Sequence, residues 1–400
     1  MRRRDFMKAG LAGALALLNA RLWAGGPGDT KLLVVMLRGA YDGASLLVPW
    51  ASDFYYRSRP AIAVPRPGSG DANAAIALDR DWALNAAVRD SLHALYMNKQ
   101  AAFIPFSGSD DLSRSHFQAQ DLMELGQGAG GALDYSSGYL NRLVEALSGK
   151  AASGGVSFTG NLTPVFKGAV PVPNISLRGN PKSRLPPRSA DMIASLYEGT
   201  SLSGLATSGM ETKKMVSEEL MTEMAESSRG AGAARAFENQ ARAIGKLMRD
   251  KSAYSIGFVD VGGWDTHVNQ GSAQGALAAN LAGLASGLAA FAQEMGARWK
   301  NTVVVVMSEF GRTFRENGNR GSDHGHGNTL WVLGGGIAGG RIAGRQVALA
   351  EASLFQNRDL PVLNDYRSVL AHLFARMYGL DGAALGRVLP GARSEDYGIV

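Results

Sequence analysis

The sequence predicts an α/β fold with a largely parallel central sheet and helices on both faces. Three observations carry this. Short runs rich in Val, Ile and Leu, such as "KLLVVML" at 31–37 and "NTVVVVMS" at 301–308, read as strands buried on both sides. Longer stretches with helical apolar spacing separate them. Polar, chemistry-bearing residues gather where the strand-like runs end, which is the edge at which open parallel sheets bind ligands.

The chain of 400 residues is 46% hydrophobic, enough for one large α/β domain with insertions. Its formal charge of +6 is scattered, apart from Arg2, Arg3 and Arg4. No nucleic-acid recognition motif accompanies it, so nucleic-acid binding is not expected. There is no cysteine. Disulfides, thiolate metal sites and a cysteine nucleophile are thereby excluded, and any metal must be held by oxygen and imidazole.

Taken in order, "RRRDFMKAGLAGALALLNARLWA" at 2–24 has an arginine pair before Phe6, then an apolar run too short for a stable membrane span, and Ala24 as a cleavage point. This is the pattern of a twin-arginine signal peptide over 1–24, which implies the twin-arginine export machinery as a partner and a periplasmic or extracellular location. Residues 25–400 form the domain. "KLLVVMLRGAYDG" is a strand ending in a turn that carries Asp42, and "AAFIPFSG" is a second strand. The loop "SDDLSRSH" follows, with a helix from Ser113 onward. Gly, Ser and Pro make about 126–210 a loop-rich insertion. "YSIGFVDVGGWDTH", the helical stretch 273–295, "NTVVVVMSEFGRT", "NTLWVLGGG" and the helix "YRSVLAHLFARMYG" complete the alternation.

The strand exits supply Asp42, then Ser113, Arg114, Ser115 and His116, then Asp260, Asp265 and His267, then Glu309. The turn "GSDHGHGN" adds Asp323, His324 and His326 from a loop at the same edge. Each alone has an ordinary explanation: Asp42 as turn chemistry, Ser113 or Ser115 as a helix cap, Glu309 as a partner of Arg312. His93 and His372 lie in apolar helical patterns and read as core or surface residues. Together the others form a ligand pool of Asp42, Asp260, Asp265, His267, Glu309, Asp323, His324 and His326. Such donors suit divalent Zn or Mn, and oxygen-rich subsets suit Ca or Mg. Two ions side by side would clamp the oxygens of a phosphoryl-type transfer. Ser115, with Ser113 second, is the candidate nucleophile, and His116 or Arg114 the candidate oxyanion contact.

The stretches "LRGAYDGASLLVPW", "SRSHFQAQDLMELG", "DVGGWDTHVNQ", "VMSEFGRTFRENGNRGSDHGHGN" and "VLGGGIAGGRIAG" resemble, in this order, the exported bacterial proteins of domain-of-unknown-function family 1501. That resemblance implies a sulfatase-like, alkaline phosphatase-like sandwich. In the wider superfamily Asp42 matches a metal-binding Asp, Ser113 or Ser115 the nucleophile, and Asp260, Asp265 and His267 later ligands. Phe310 stands where an Asp-His pair normally places its His. Sulfatases resemble Cys-x-Pro-Ser-Arg at the nucleophile, whereas this chain has Asp110 and Leu112, which argues against formylglycine chemistry. The implied activity is hydrolysis or transfer of phosphate or sulfate esters of a small molecule or glycan. The rival is a non-catalytic envelope protein of the same fold that binds a surface glycan or protein. Export is testable directly: an Arg3→Lys, Arg4→Lys variant should stay in the cytoplasm with its leader attached, and normal export of that variant would remove the twin-arginine assignment.

Overall fold

The computed structural model describes residues 30–148, 154–177 and 236–400. The leader and, within the expected insertion, residues 149–153 and 178–210 lie outside the described residues. Eleven strands are described. They are β1 (Lys31–Leu37), β2 (Leu47–Val48), β3 (Ile76–Ala77), β4 (Ala83–Leu84), β5 (Ala101–Gly108), β6 (Gly155–Ser157), β7 (Ile256–Val261), β8 (Thr302–Ser308), β9 (Asn328–Gly334), β10 (Arg341–Ile342) and β11 (Asn364–Asp365). Eight form one sheet in the order β10-β5-β9-β8-β1-β7-β6, with β11 also pairing β5, while β2, β4 and β3 make a small antiparallel sheet. The fold is α/β with a mixed, mostly parallel sheet.

Strand β1 shows why the sheet is covered twice. All seven of its residues are buried, and its side chains alternate between two cores. Leu33, Val35 and Leu37 belong to one, with the helices Ala236–Asp250 and Ala276–Met295. Leu32, Val34 and Met36 belong to the other, with Tyr139–Ala146, Tyr366–Tyr378 and Gly382–Val388. The period of two in a strand sends successive side chains to opposite faces, so a continuous apolar run demands helices on both. By length and composition one described segment, Ala276–Asn301, could cross a membrane; in the fold its helix packs in the first core.

One strand runs against the rest. Strand β1 is parallel to β7 and β8, but β9 is antiparallel to both β5 and β8. Val306 faces Trp331 and Val303 faces Gly334. The start of β9 therefore lies beside the end of β8, at the edge where the parallel strands finish. A turn that precedes β9 reaches the same edge as loops that follow β1, β5, β7 and β8. Within 126–177 the described residues include the helix Tyr139–Ala146 and strand β6, which extends the sheet beyond β7.

The loop after β1 is anchored by a buried ion pair. Asp42 receives Arg59 through both terminal guanidinium nitrogens, Ser45 Oγ at 2.8 Å and Gln270 Nε2 at 2.7 Å. Arg59 also donates to the carbonyls of Phe314 and Thr313, at 2.7 and 3.1 Å. Burial pushes the Asp42 carboxyl up, but Arg59 and the hydrogen bonds from Arg59, Ser45 and Gln270 outweigh it and hold it below its ordinary value. The stability from ionised Asp42 is thus present above the unfolded value of about 3.9 and is lost as pH falls through the lower folded value. Asp42→Ala strands the Arg59 charge in the core and should cost about 3–5 kcal/mol at pH 7. Urea unfolding measures it, and the gap to the parent should narrow below about pH 4. A variant of unchanged stability would contradict this role.

Candidate metal centre

The site is built from four loops held to one another before any ligand is considered. Glu309, fully buried just past β8, is the pivot. Its Oε1 accepts from the Gly39 amide, Gln120 Nε2 and His116 Nδ1, each at 2.8 Å, and its Oε2 accepts from Ser308 Oγ. Gly39 has φ +116°, and a Cβ there would lie 2.9 Å from the Asp265 amide nitrogen. Only glycine lets the loop after β1 pass between Glu309 and Asp265 in this conformation. Residues 311–313 pair antiparallel with 323–326, through Thr313 N to Asp323 O, Gly325 N to Gly311 O and Gly311 N to His326 O, all 2.8 Å. A Cβ on Gly325 would stand 2.4 Å from the Arg312 carbonyl. The glycines of "DHGHG" are thus there for close backbone packing.

Three imidazoles and one carboxylate meet at this edge. His324 Nε2 is 3.0 Å from His116 Nε2, 3.1 Å from His267 Nε2 and 3.2 Å from Asp265 Oδ1. His267 Nε2 is 2.8 Å from Asp265 Oδ1, and His116 Nε2 is 3.5 Å from Asp265 Oδ2. Ligands at 2.0–2.1 Å from a tetrahedral zinc are separated by about 3.3 Å. The contacts scatter around that spacing. His116, Asp265 and His324 offer atoms all within 4.8 Å of one another, a group that could hold a metal ion.

The outward nitrogens decide the chemistry of the inward ones. Nδ1 of His116 faces Glu309 at 2.8 Å, Nδ1 of His267 faces Asp323 Oδ1 at 3.0 Å, and Nδ1 of His324 faces the Arg114 carbonyl at 3.0 Å. Each acceptor requires a proton on Nδ1, so each neutral ring turns a bare Nε2 lone pair inward. Three lone pairs beside a carboxylate repel one another unless a cation lies among them. Carboxylate or carbonyl behind histidine is the usual outer support of a metal-bound imidazole. The donor set fits a divalent ion.

Charge in the site is arranged accordingly. The hydrogen bond to Glu309 raises the His116 pKa above its usual value, while burial and then the neighbouring His116 lower that of His324. In the absence of a metal, a proton on His116 Nε2 is the alternative cation. Burial would raise the Asp265 carboxyl, but Arg312, 2.5 Å away with its side chain fully buried, holds it ionised. Asp323 is lowered first by Asn317, whose amide donates at 3.0 Å.

Of the ligand pool expected from sequence, Asp265, His267 and His324 come together. Glu309 and Asp323 lie one hydrogen bond behind them, as supports of His116 and His267. Asp42 is occupied by Arg59, Asp260 pairs with Arg38 at 2.7 Å, and the His326 ring packs at a tilt against Phe355 with ring centres 4.9 Å apart; these three are not among the converging donors. His116, expected to contact an oxyanion, joins the donors instead. Arg114 gives its side chain to Asp359 at 2.6 Å and does not present a free fork. Ser113 donates to Asp111 Oδ2 at 2.6 Å, and Ser115, at the start of the helix His116–Leu125, caps none of its amides. Sequence reasoning missed His116 as a donor, and Arg312 as the counter-charge of Asp265. The first could have been found from its place at a helix start beside the two serines; nothing local marks the second.

A solved structure described as Ps i-CgsB in complex with k-i-k-neocarrahexaose is similar, at 9% identity and a TM-score of 0.39, covering 91% of this chain and 74% of that one. No curated protein matches the chain. The family model described as protein of unknown function (DUF1501) matches residues 29–390. With the match spanning nearly the whole chain, the protein belongs to the DUF1501 family.

Proposed function

We propose that the chain is an exported, metal-dependent hydrolase or transferase of phosphate or sulfate esters, with a zinc-class ion held by His116, His267, His324 and Asp265. The observation that carries this reading is the convergence of three Nε2 atoms on one carboxylate, each Nδ1 being tied to an acceptor. Three neutral imidazoles with a single carboxylate suit zinc better than the oxygen-seeking Ca or Mg. When bound, such an ion supplies Lewis acidity toward an anionic ester oxygen.

The chain's own residues do the rest. Glu309 and Asp323 fix the orientation and tautomer of His116 and His267. Arg312 keeps Asp265 ionised against its partial burial. Ser115 is the attacking hydroxyl in this reading. It adjoins both His116 and the Arg114 carbonyl that receives His324, and the N-terminus of a ten-residue helix favours negative charge developing there. Ser113 is second, because its hydroxyl is already donated to Asp111. Export rests on the arginine pair before Phe6. A second reading has one observation behind it: the edge gathers four protein donors, the number that fills a structural zinc site with no open position. Under it the protein is a metal-stabilised envelope protein that binds a surface glycan or a protein.

Elemental analysis of the purified protein should find about one equivalent of zinc. His324→Ala should lose it while keeping the circular dichroism of the folded chain. Glu309→Gln should weaken zinc binding by about 10–100-fold, whereas Asp42→Asn, which removes no donor, should still retain about one equivalent in the folded protein. Full zinc content in a His116→Ala, His324→Ala double variant would remove the site.

The reaction has its own test. The zinc-loaded protein should hydrolyse an aryl phosphate or an aryl sulfate, and Ser115→Ala should abolish turnover with zinc retained. Zinc binding without turnover of either ester would favour the non-catalytic reading.

A further inference from the structure

Two arginines converge on the residue that centres the metal site. Arg358 donates from Nη2 to the His324 backbone carbonyl at 2.7 Å and from Nη1 to Asp359 Oδ2 at 3.3 Å. Arg114, whose own carbonyl receives His324 Nδ1, donates to the same Asp359 oxygen from Nε and Nη2, at 3.2 and 2.6 Å. Asp359 is fully buried, and its other oxygen has no partner among the described residues. Two guanidinium groups therefore share one carboxylate, which leaves a single positive charge unbalanced in this trio. Asp265 is matched by Arg312 and does not offset it.

The backbone is held at a cost to make this arrangement. Arg114, Gln356 and Asn357 have φ of +52°, +54° and +51°. For residues with a Cβ this left-handed region is sterically strained, least so for Asn. The two loops are tied through Arg114 Nη2 to Gln356 Oε1 at 2.9 Å. Strain of this kind persists where the geometry it secures is used. Fastening the His324 backbone needs only the one bond to its carbonyl. The Arg358 side chain nevertheless remains 39% exposed, while the carboxylate beneath it is fully covered. A cation that is partly open, backed by a second cation and placed against a metal-site residue is suited to an anion.

We infer that Arg358, steadied by Asp359 and backed by Arg114, is the subsite that recognises the tetrahedral oxyanion, phosphate or sulfate, of the substrate. This rests on the metal-dependent ester reading and assigns its anion contact to a residue outside the converging donors. Two of the five N–H groups of Arg358 go to Asp359 and the His324 carbonyl, and those that remain, on its Nε and two Nη atoms, can meet the oxygens of such a group. Arg114, with its side chain committed to Asp359, sets the field and not the contact.

Calorimetric titration of the zinc-loaded protein with inorganic phosphate, and separately with sulfate, tests this. The parent should bind at least one of them, and the stronger of the two names the ester. Arg358→Gln should weaken that anion by about tenfold to a hundredfold, the size of one charge-assisted hydrogen bond, with zinc affinity within about twofold of the parent. Arg358→Lys should fall between the two, keeping charge without the fork. Equal anion affinity in parent and Arg358→Gln would overturn the assignment. So would a parallel loss of zinc affinity, because Arg358 would then only fasten His324. A zinc-loaded parent that binds neither anion would overturn the ester reading itself, and this inference with it.

Discussion

Three imidazole lone pairs and a carboxylate do not share a few ångströms of space without a cation between them. Everything at this sheet edge is arranged to hold them there. The tautomers are fixed from behind: Glu309 holds the proton on His116 Nδ1, Asp323 that on His267, and the Arg114 carbonyl that on His324. Remove those acceptors and each ring could turn an N–H inward, and the cluster would become an ordinary hydrogen-bonded group. The outer partners thus determine the chemistry of the inner atoms.

The scaffold explains how residues 208 apart in the chain can touch, as His116 and His324 do. Parallel β1, β5, β7 and β8 deliver their following loops to one edge, and antiparallel β9 delivers its preceding turn to the same edge. From there a continuous chain of hydrogen bonds runs inward. Arg312 holds Asp265 and contacts Ser322, Ser322 donates to Gln270 at 2.7 Å, and Gln270 donates to Asp42, which pairs with Arg59. The fully buried Asp42–Arg59 pair is tied to the donor cluster without belonging to it. Unpaired, either charge would be costly in the core; paired, they fix the loop after β1 beside Gly39, whose amide supports Glu309.

The legible part of this molecule is the part written in local patterns. The β-branched runs announced β1, β7, β8 and β9, and helical spacing announced Ala276–Met295 and Tyr366–Tyr378. The direction of β9 was not legible, because an apolar run reads the same whichever way it pairs. The edge at which polar residues gather was legible from their places at strand ends. Which of them turn inward was not. Asp42 and Glu309 have the residue type and position of ligands, yet their oxygens are filled by Arg59 and by Gly39, Gln120 and His116. Those partners come from distant segments that no local spacing connects. His324 and His326 stand two apart between glycines, a spacing that strand alternation alone would put on one face, yet only His324 reaches the cluster while His326 packs at a tilt against Phe355.

The most direct test of the account is the protonation of the imidazole nitrogens themselves. Long-range proton–nitrogen NMR of the ¹⁵N-labelled protein, recorded with and without saturating zinc, reads both nitrogens of each ring. The account requires that with zinc the Nε2 of His116, His267 and His324 all move to coordinated shifts while each Nδ1 keeps its proton, with His326 and His372 unchanged. Nε2 protons that persist on these three rings at saturating zinc, or coordination through Nδ1, would contradict it.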